Sequence, residues 1–138
     1  MNIDKFDKFY MEVAYETARL SYCERHKVGA VIVSSDKRNI IGFGYNGTPS
    51  GFPNICEIDN TTRKEVLHAE TNAIMKVAQS THSSKDCYLY TTLSPCYDCA
   101  KLIIQAGIKE LIYCEEYRNT DGLDLLKQAN INVKQIKL

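Results

Sequence analysis

The chain has 138 residues, of which 44% are hydrophobic, and 17 basic side chains balance 17 acidic ones to a formal net charge of zero. This length is enough for one hydrophobic core, and we expect residues 1–138 to form a single domain. A zero net charge argues against a nucleic-acid partner, because proteins that hold a phosphate backbone usually carry a strongly basic surface.

Neither the hydropathy nor the first residues indicate a membrane protein or a secreted one. No apolar run approaches the roughly 18 residues of a membrane span, and the N-terminal residues lack the apolar stretch of a secretory signal. Two of the six cysteines form a C-x-x-C motif, which in such a chain favours metal binding in a reducing compartment over disulfides. We therefore expect a cytoplasmic protein, acting in host cytoplasm if a phage encodes it.

The first part of the chain predicts a helix followed by two strands. Residues 4–20 begin with a capping aspartate and carry a stripe of side chains at helical spacing, which we expect to be buried: Phe6, Tyr10, Val13, Thr17 and Leu20. The mostly β-branched residues 28–34 predict a strand, and residues 40–45 a second one after a turn at 36–39.

Residues 42–53 contain four of the seven glycines. This composition predicts a loop that turns sharply or approaches a ligand closely. An ordinary surface connection is the alternative.

The rest of the chain alternates between helical and extended patterns. Helices are predicted at 65–79, 96–105 and 123–129, and strands at 87–92, 110–114 and 131–136. Strands that alternate with helices imply a sheet covered on both faces. The predicted fold class is α/β, a three-layer α/β/α sandwich around a mixed sheet of about five strands.

Two short stretches carry the chemistry, His68-Ala69-Glu70 and Pro95-Cys96-Tyr97-Asp98-Cys99. Zn²⁺ prefers tetrahedral sites of nitrogen and thiolate, and catalytic sites keep one position for water. His68, Cys96 and Cys99 supply three ligands, and no fourth protein ligand is evident nearby. Pro95 places the cysteines at a helix start, where the free N–H groups favour thiolate. These residues predict a catalytic zinc site rather than a structural one.

Glu70 lies two residues from a predicted ligand, close enough to handle a proton of the water. Zinc lowers the pKa of a bound water to roughly 7. Hydrolytic loss of an exocyclic amine also needs protonation of a ring nitrogen and of the leaving group, which one carboxylate can perform in turn. The pattern H-x-E…P-C-x-x-C is the signature of zinc nucleobase deaminases, and Glu70 is the predicted catalytic residue.

The sequence resembles the cytidine deaminase superfamily, and within it the deoxycytidylate (dCMP) deaminases. The resemblance covers nearly the whole chain and is carried by residues 27–32, 44–49, 68–74 and 93–101. The zinc motif alone is shared with deaminases of cytidine, guanine and tRNA adenosine, whereas the glycine-rich stretch and Asn72-Ala73-Ile74 point to the narrower branch. The resemblance implies the cytidine deaminase-like fold and the conversion of dCMP to dUMP.

The resemblance also implies a substrate site. Asn46 would bind the deoxyribose, and the backbone near Ala69 and the Ser94-Pro95 turn would line the base pocket. Basic residues would hold the 5′-phosphate, the candidates being Arg25, Lys27 and Arg118, with Tyr117-Arg118 resembling an aromatic and arginine pair over the substrate. Arginine suits a phosphate because its planar fork donates two parallel hydrogen bonds. Exposed surface charge is the alternative for each of these basic residues.

A homohexamer regulated by nucleoside triphosphates is implied as well, with dCTP activating, dTTP inhibiting and Mg²⁺ accompanying the effector. Part of the effector site would lie in the glycine-rich stretch, at Gly44, Tyr45, Gly47 and Thr48. Some relatives carry a second, structural zinc, for which Cys23, His26 and Cys56 are the candidate ligands, and a carboxylate such as Glu57 or a histidine from elsewhere would be the fourth. Burial as free thiols is the alternative for these cysteines.

Two other functions stay open at this point. The chain could deaminate another substrate, such as dCTP, guanine, free cytidine or tRNA adenosine, although the zero net charge weighs against tRNA. Alternatively, it could be a zinc-stabilised nucleotide-binding module without catalysis. Glu70 argues against that module, because such a protein has no need of a proton shuttle.

Overall fold

The structure is a computed structural model that describes residues 3–138. In chain order they are α1 (Lys5–Ala18), β1 (Gly29–Val33), β2 (Ile40–Tyr45), β3 (Glu57–Ile58), β4 (Thr61–Thr62), α2 (Ala69–Ala78), β5 (Tyr88–Leu93), α3 (Tyr97–Gln105), β6 (Glu110–Glu115), α4 (Asp121–Gln128) and β7 (Asn132–Gln135). No helix within residues 3–138 has the length and apolar character needed to cross a membrane.

Five of the strands form one mixed sheet in the order β2-β1-β5-β6-β7. The strand β1 pairs antiparallel with β2 and with β5, whereas β5–β6 and β6–β7 are parallel pairs. The parallel pairs follow from α3 and α4, because a helix between two strands returns the chain to the same end of the sheet. The predicted mixed sheet of about five strands is confirmed.

Helices cover both faces of this sheet. Tyr10, Met11 and Ala14 of α1 pack on one face, whereas the buried residues of α2, α3 and α4 pack on the other. Alternate residues of β1 serve the two faces: Val31 and Val33 face α1, and Ala30 and Ile32 face the other three helices. This is the three-layer α/β/α sandwich predicted from the alternation of patterns.

The buried face of α1 differs from the predicted stripe. Phe6 and Leu20 were expected in the core but have relative exposures of 49% and 57%. Asp7 is completely buried instead, because Lys37, Lys134 and the Tyr90 hydroxyl all donate hydrogen bonds to its carboxylate. A paired charge can occupy a core position that hydropathy assigns to an apolar residue.

The glycine-rich stretch is a strand at its beginning and a loop after it. The strand predicted at residues 40–45 is confirmed as β2, so the overlapping loop predicted at 42–53 is wrong for its first four residues. Gly44 lies in that strand because α2 crosses close above it: a Cβ there would be 2.4 Å from the Ala69 carbonyl oxygen and from the Ala73 nitrogen. The glycine allows close packing of helix on sheet rather than a turn.

The helix α2 begins later than predicted. Its first residue is Ala69 rather than Glu65, and His68 in extended conformation is its N-cap. Before it, the chain forms the β3–β4 hairpin, which the sequence analysis does not predict because each strand has only two residues.

Candidate metal and catalytic site

The predicted zinc ligands come together at the starts of two helices. His68 precedes α2 and Cys96 precedes α3, while Cys99 lies within the first turn of α3. The His68 Nδ1 atom is 3.4 Å from Cys96 Sγ and 3.4 Å from Cys99 Sγ. Two helix N-termini with their free N–H groups therefore converge on one group of donors.

This donor set fits a tetrahedral zinc ion. Zinc bonds of about 2.0–2.1 Å to nitrogen and about 2.3 Å to sulfur place neighbouring ligand atoms roughly 3.5 Å apart. The observed nitrogen–sulfur separations of 3.4 Å match that spacing. The group contains three ligands among residues 3–138 and no fourth, which is the composition of a catalytic zinc site rather than a closed structural one.

Glu70 lies one helical step inside α2, beside the ligand group. Its relative exposure is only 4%. Burial raises the pKa of this carboxyl group to about 7, against the opposing influence of its own backbone N–H and of His68. A carboxyl group with that pKa can both accept and release a proton near neutral pH.

The pKa values of the two cysteines shift in opposite directions. The pKa of Cys96 falls to about 4 because Cys99 and His68 donate hydrogen bonds to its sulfur. The pKa of Cys99 rises, first because its thiol donates to Cys96 and second because it is buried. The hydrogen bond from His68 to Cys96 raises the pKa of the imidazole.

A cavity of about 600 Å³ opens beside this cluster, a volume typical of small-molecule sites. His68, Glu70 and Cys96 line it together with predicted substrate residues from five parts of the chain: Arg25, Asn46, Ala69, Ser94, Tyr117 and Arg118. The metal cluster and the predicted substrate residues thus share one space.

Two predicted substrate residues lie outside this lining. The Lys27 ammonium group donates a hydrogen bond to the Ser21 carbonyl oxygen instead. The Pro95 carbonyl oxygen lies close to Gly122 of α4, since a Cβ on Gly122 would be 2.4 Å from that oxygen. Lys27 is therefore the weakest of the three phosphate candidates, and Arg25 and Arg118 are the basic residues of the cavity that the sequence analysis named.

Ser94 holds the loop that carries Tyr117 and Arg118. The buried Ser94 hydroxyl accepts a hydrogen bond of 2.7 Å from the Tyr117 backbone N–H, and the Ser94 N–H donates to the Glu115 carbonyl oxygen. The Arg118 guanidinium carbon lies 6.0 Å from the centroid of the Tyr117 ring. Ser94 thus lies in the cavity wall and orients a neighbouring part of it.

The residues predicted for an effector site have partners inside the protein. Gly44 packs under α2, and the Tyr45 carbonyl oxygen accepts a hydrogen bond from Asn72. Gly47 pairs with Leu67 in an isolated β-bridge, and Thr48 interacts with the Tyr22 hydroxyl. None of these four residues lines the cavity beside the metal cluster.

The predicted second zinc site is wrong in its composition. Cys23 and Cys56 are joined in a disulfide, so neither sulfur is a thiolate that could bind zinc. The side chain that lies with these sulfurs is Glu57, which was considered as a fourth ligand, whereas His26 is not part of the group. The expectation that all cysteines are reduced fails at this pair, whereas Cys87, Cys96, Cys99 and Cys114 are free.

Some residues of the cavity wall were not predicted from the sequence. Glu57, Thr62 and Glu116 line the cavity, and no motif marks them. Glu57 and Thr62 come from the β3–β4 hairpin, which is too short for a periodic pattern. The one available signal was the position of Glu57 directly after Cys56.

Comparison with known proteins agrees with this geometry. The profile of the "cytidine and deoxycytidylate deaminase zinc-binding region" matches residues 4–115. The chain is 35% identical to the deoxycytidylate deaminase of phage T4, over 89% of this chain and 86% of that protein. It is 39% identical to the human deoxycytidylate deaminase, over 85% and 69% respectively.

A solved structure resembles the whole fold. The dCMP deaminase from cyanophage S-TIM5, crystallised in complex with dCMP and dUMP, superposes with a TM-score of 0.93 and 43% identity. The match covers 99% of this chain and all of that one.

Proposed function

The chain belongs to the cytidine and deoxycytidylate deaminase family, and on this premise we propose that it converts dCMP and water to dUMP and ammonia. The observation that carries the proposal is the cavity that joins the His68–Cys96–Cys99 cluster, the buried carboxyl group of Glu70 and the guanidinium groups of Arg25 and Arg118. The similar cyanophage protein, crystallised with dCMP and dUMP, supports this substrate.

In this proposal Glu70 moves the protons of the reaction. The chemistry that zinc supplies, held by His68, Cys96 and Cys99, is activation of a water at neutral pH. Glu70 would accept a proton from the water whose oxygen attacks C4 of the cytosine ring, and it would pass that proton to N3. It then takes the proton of the new C4 hydroxyl group and delivers it to the exocyclic amine, so that the C4–N bond breaks, the C4 carbonyl forms and ammonia leaves. The pKa of about 7 for Glu70 suits both directions of transfer.

The substrate would be held along the same cavity. Arg25 and Arg118 bind the 5′-phosphate as charge-assisted donors, and the Tyr117 ring covers the nucleotide. The backbone at Ala69 and the Ser94-Pro95 turn contact the base. The Asn46 amide has one N–H beyond its bonds to the protein, which leaves a donor for the deoxyribose.

Ammonia release from zinc-loaded protein tests the proposal directly. We expect turnover with dCMP and much weaker turnover with deoxycytidine, because the nucleoside lacks the group that the arginines bind. Equal rates for both would overturn the phosphate assignment and favour a nucleoside deaminase. Activity only with dCTP, guanine or tRNA adenosine would replace the substrate. No ammonia with any of them would favour the binding module.

Regulation and assembly follow the family in this proposal. We infer that dCTP with Mg²⁺ activates the enzyme, that dTTP inhibits it, that the chain forms a homohexamer and that its product supplies thymidylate synthesis. The support is resemblance alone, and Gly44, Tyr45, Gly47 and Thr48 remain the candidate effector residues. Turnover raised by dCTP and suppressed by dTTP would support regulation, and turnover indifferent to both would remove it.

The proposed compartment is the cytoplasm, or host cytoplasm if a phage encodes the protein. A cytoplasmic enzyme of nucleotide metabolism would normally keep its thiols reduced. The Cys23–Cys56 disulfide is the feature that opposes this assignment. The count of free thiols in protein isolated under thiol-trapping conditions tests it: six would favour the cytoplasm, and four an oxidising compartment.

A further inference from the structure

Residues 21–28, here called the rim segment, form one wall of the cavity without any regular secondary structure. They connect α1 to β1 and bring Arg25 and His26 to the cavity. An irregular segment has no hydrogen-bond ladder of its own, so its position depends on the groups that bind it from outside. The precision with which Arg25 meets an anion therefore depends on those groups.

Asn46 binds the rim segment at its C-terminal end. The side-chain oxygen accepts a hydrogen bond of 2.9 Å from the Val28 N–H, and the side-chain nitrogen donates one of 2.7 Å to the His26 carbonyl oxygen. The Asn46 carbonyl oxygen also accepts a hydrogen bond of 2.8 Å from the Ser21 hydroxyl. One residue thus fixes both ends of the segment.

Glu57 binds the middle of the segment from the other side. Its carboxylate accepts hydrogen bonds from the backbone N–H groups of Glu24 and Arg25, at 3.2 Å each. The Arg25 guanidinium donates to the Thr62 hydroxyl of the same hairpin at 3.2 Å. The Cys23–Cys56 disulfide joins the two pieces of chain next to these contacts.

Glu57 is a negatively charged residue in the lining of a cavity that is proposed to bind a negatively charged phosphate. A carboxylate in a cavity that receives a phosphate dianion repels the ligand, so a direct contact with substrate is an unsuitable role for it. Its two backbone partners provide a different role, which is to hold Arg25.

We propose that Asn46 and Glu57 are positioning residues that hold the rim segment from two sides and thereby direct Arg25 at the 5′-phosphate. The inference rests on the proposed function, because it takes that phosphate as the group which Arg25 binds. It extends the role of Asn46 beyond a sugar contact and gives Glu57 a role that no motif indicates.

Binding of dUMP, compared with binding of deoxyuridine, which is the same nucleoside without its phosphate, separates this positioning role from a sugar contact and from a general role in folding. We would measure Kd for dUMP and for deoxyuridine by calorimetry on zinc-loaded protein with the disulfide intact. Asn46→Ala and Glu57→Ala should each raise the Kd for dUMP by about tenfold, which is less than the full worth of a charge-assisted contact. For Glu57→Ala the Kd for deoxyuridine should change by less than about twofold, because that ligand has no phosphate for Arg25 to bind. For Asn46→Ala the Kd for deoxyuridine should rise only by the worth of the lost sugar contact, so the Kd for dUMP should rise more than the Kd for deoxyuridine.

Further variants sharpen the result. Glu57→Gln keeps one acceptor oxygen, so it should recover part of the dUMP affinity. In an Arg25→Ala background, Glu57→Ala should add almost nothing to the Kd for dUMP, and Asn46→Ala should add no more than it adds for deoxyuridine, because coupled residues are not additive. Glu24→Gln removes a neighbouring charge without touching these hydrogen bonds and is the matched control. Zinc content and the deoxyuridine Kd report whether each variant is folded.

The outcomes are distinct. Equal weakening of both ligands by Asn46→Ala would mean a sugar contact or a general role in folding, and it would overturn the inference for Asn46. Unchanged dUMP binding, or full additivity with Arg25→Ala, would overturn it for either residue. If the unmodified protein bound dUMP no better than deoxyuridine, the proposed function itself would fail, together with this inference.

Discussion

Glu70 combines an ionisable side chain with an environment almost free of water. It lies on a helix whose N-cap is a metal ligand, so its backbone is fixed by the same element that fixes His68. Because burial favours the uncharged form, the group is poised near neutral pH instead of being a permanent anion. That is a property of its position rather than of the residue type.

Replacing Glu70 should therefore separate chemistry from metal binding. We expect Glu70→Gln to lower kcat on dCMP by about 10² to 10⁴, the usual contribution of general acid–base catalysis. Zinc content should stay near that of the unmodified protein, because the ligand group does not include Glu70. Glu65→Gln alters a carboxylate that is paired with Arg63 and is the control. A Glu70 variant with near-normal kcat would contradict the proton-shuttle role.

At the scale of elements, each zinc-bearing helix start is packed against a glycine of another element. Gly44 of β2 lies against the first turn of α2, and Gly122 of α4 lies against the turn before α3. A Cβ on Gly122 would be 2.4 Å from the Pro95 carbonyl oxygen and 2.8 Å from that of Cys96. The ligand geometry thus depends on how closely two neighbouring elements approach these turns.

Adding a methyl group at either glycine should disturb the metal site from a distance. Overpacking against backbone typically costs about 1–3 kcal/mol, and here it would push the ligand turns apart. We expect Gly44→Ala and Gly122→Ala to lower both the free energy of unfolding and the affinity for zinc, measured by competition with a chelator. Gly107→Ala, strained by its φ of 79° but remote from the ligands, should lower stability only. Equal zinc affinity in all three variants would refute the connection.

Across the whole molecule, one buried carboxylate links elements that are distant in sequence. Asp7 of α1 accepts hydrogen bonds from Lys37 after β1, Tyr90 of β5 and Lys134 of β7. Burial alone would raise the pKa of Asp7, but these three donors together lower it below its ordinary value. Within residues 3–138, α1 is the one helix on its face of the sheet. The Asp7 carboxylate joins this helix to β5 and β7.

The lowered pKa of Asp7 gives a pH dependence of stability with a definite sign. Asp7 binds a proton more weakly in the folded chain than in the unfolded one, so its contribution is complete above its ordinary pKa. This stabilisation is lost as the pH falls below the ordinary pKa of about 4 and then through the lowered pKa of Asp7 in the folded chain. We expect Asp7→Asn to cost about 3 kcal/mol at neutral pH and to flatten the acid limb of stability, measured by urea unfolding. An unchanged acid limb would contradict this assignment.

The features that could be predicted from the sequence have either a regular hydrophobic periodicity or a motif of fixed residue types and spacing. The mixed sheet follows from the order of strands and helices, and the zinc cluster follows from ligand types that leave few alternatives. Asp7 was missed because its burial depends on three donors that only the tertiary structure assembles. The roles of Gly44 and Glu57 were missed for a related reason, since a glycine or a carboxylate in a sequence does not reveal which backbone approaches it.

The Cys23–Cys56 bond also changes the covalent topology of the chain. It closes a ring whose ends are 33 residues apart and which contains β1, β2 and the exposed residues Ser50–Ile55. A protease that cuts once among those exposed residues would leave one covalently joined molecule. On a denaturing gel such a nicked protein should migrate as a single species without reductant and as two fragments with it. Two fragments under both conditions would show that the ring is open.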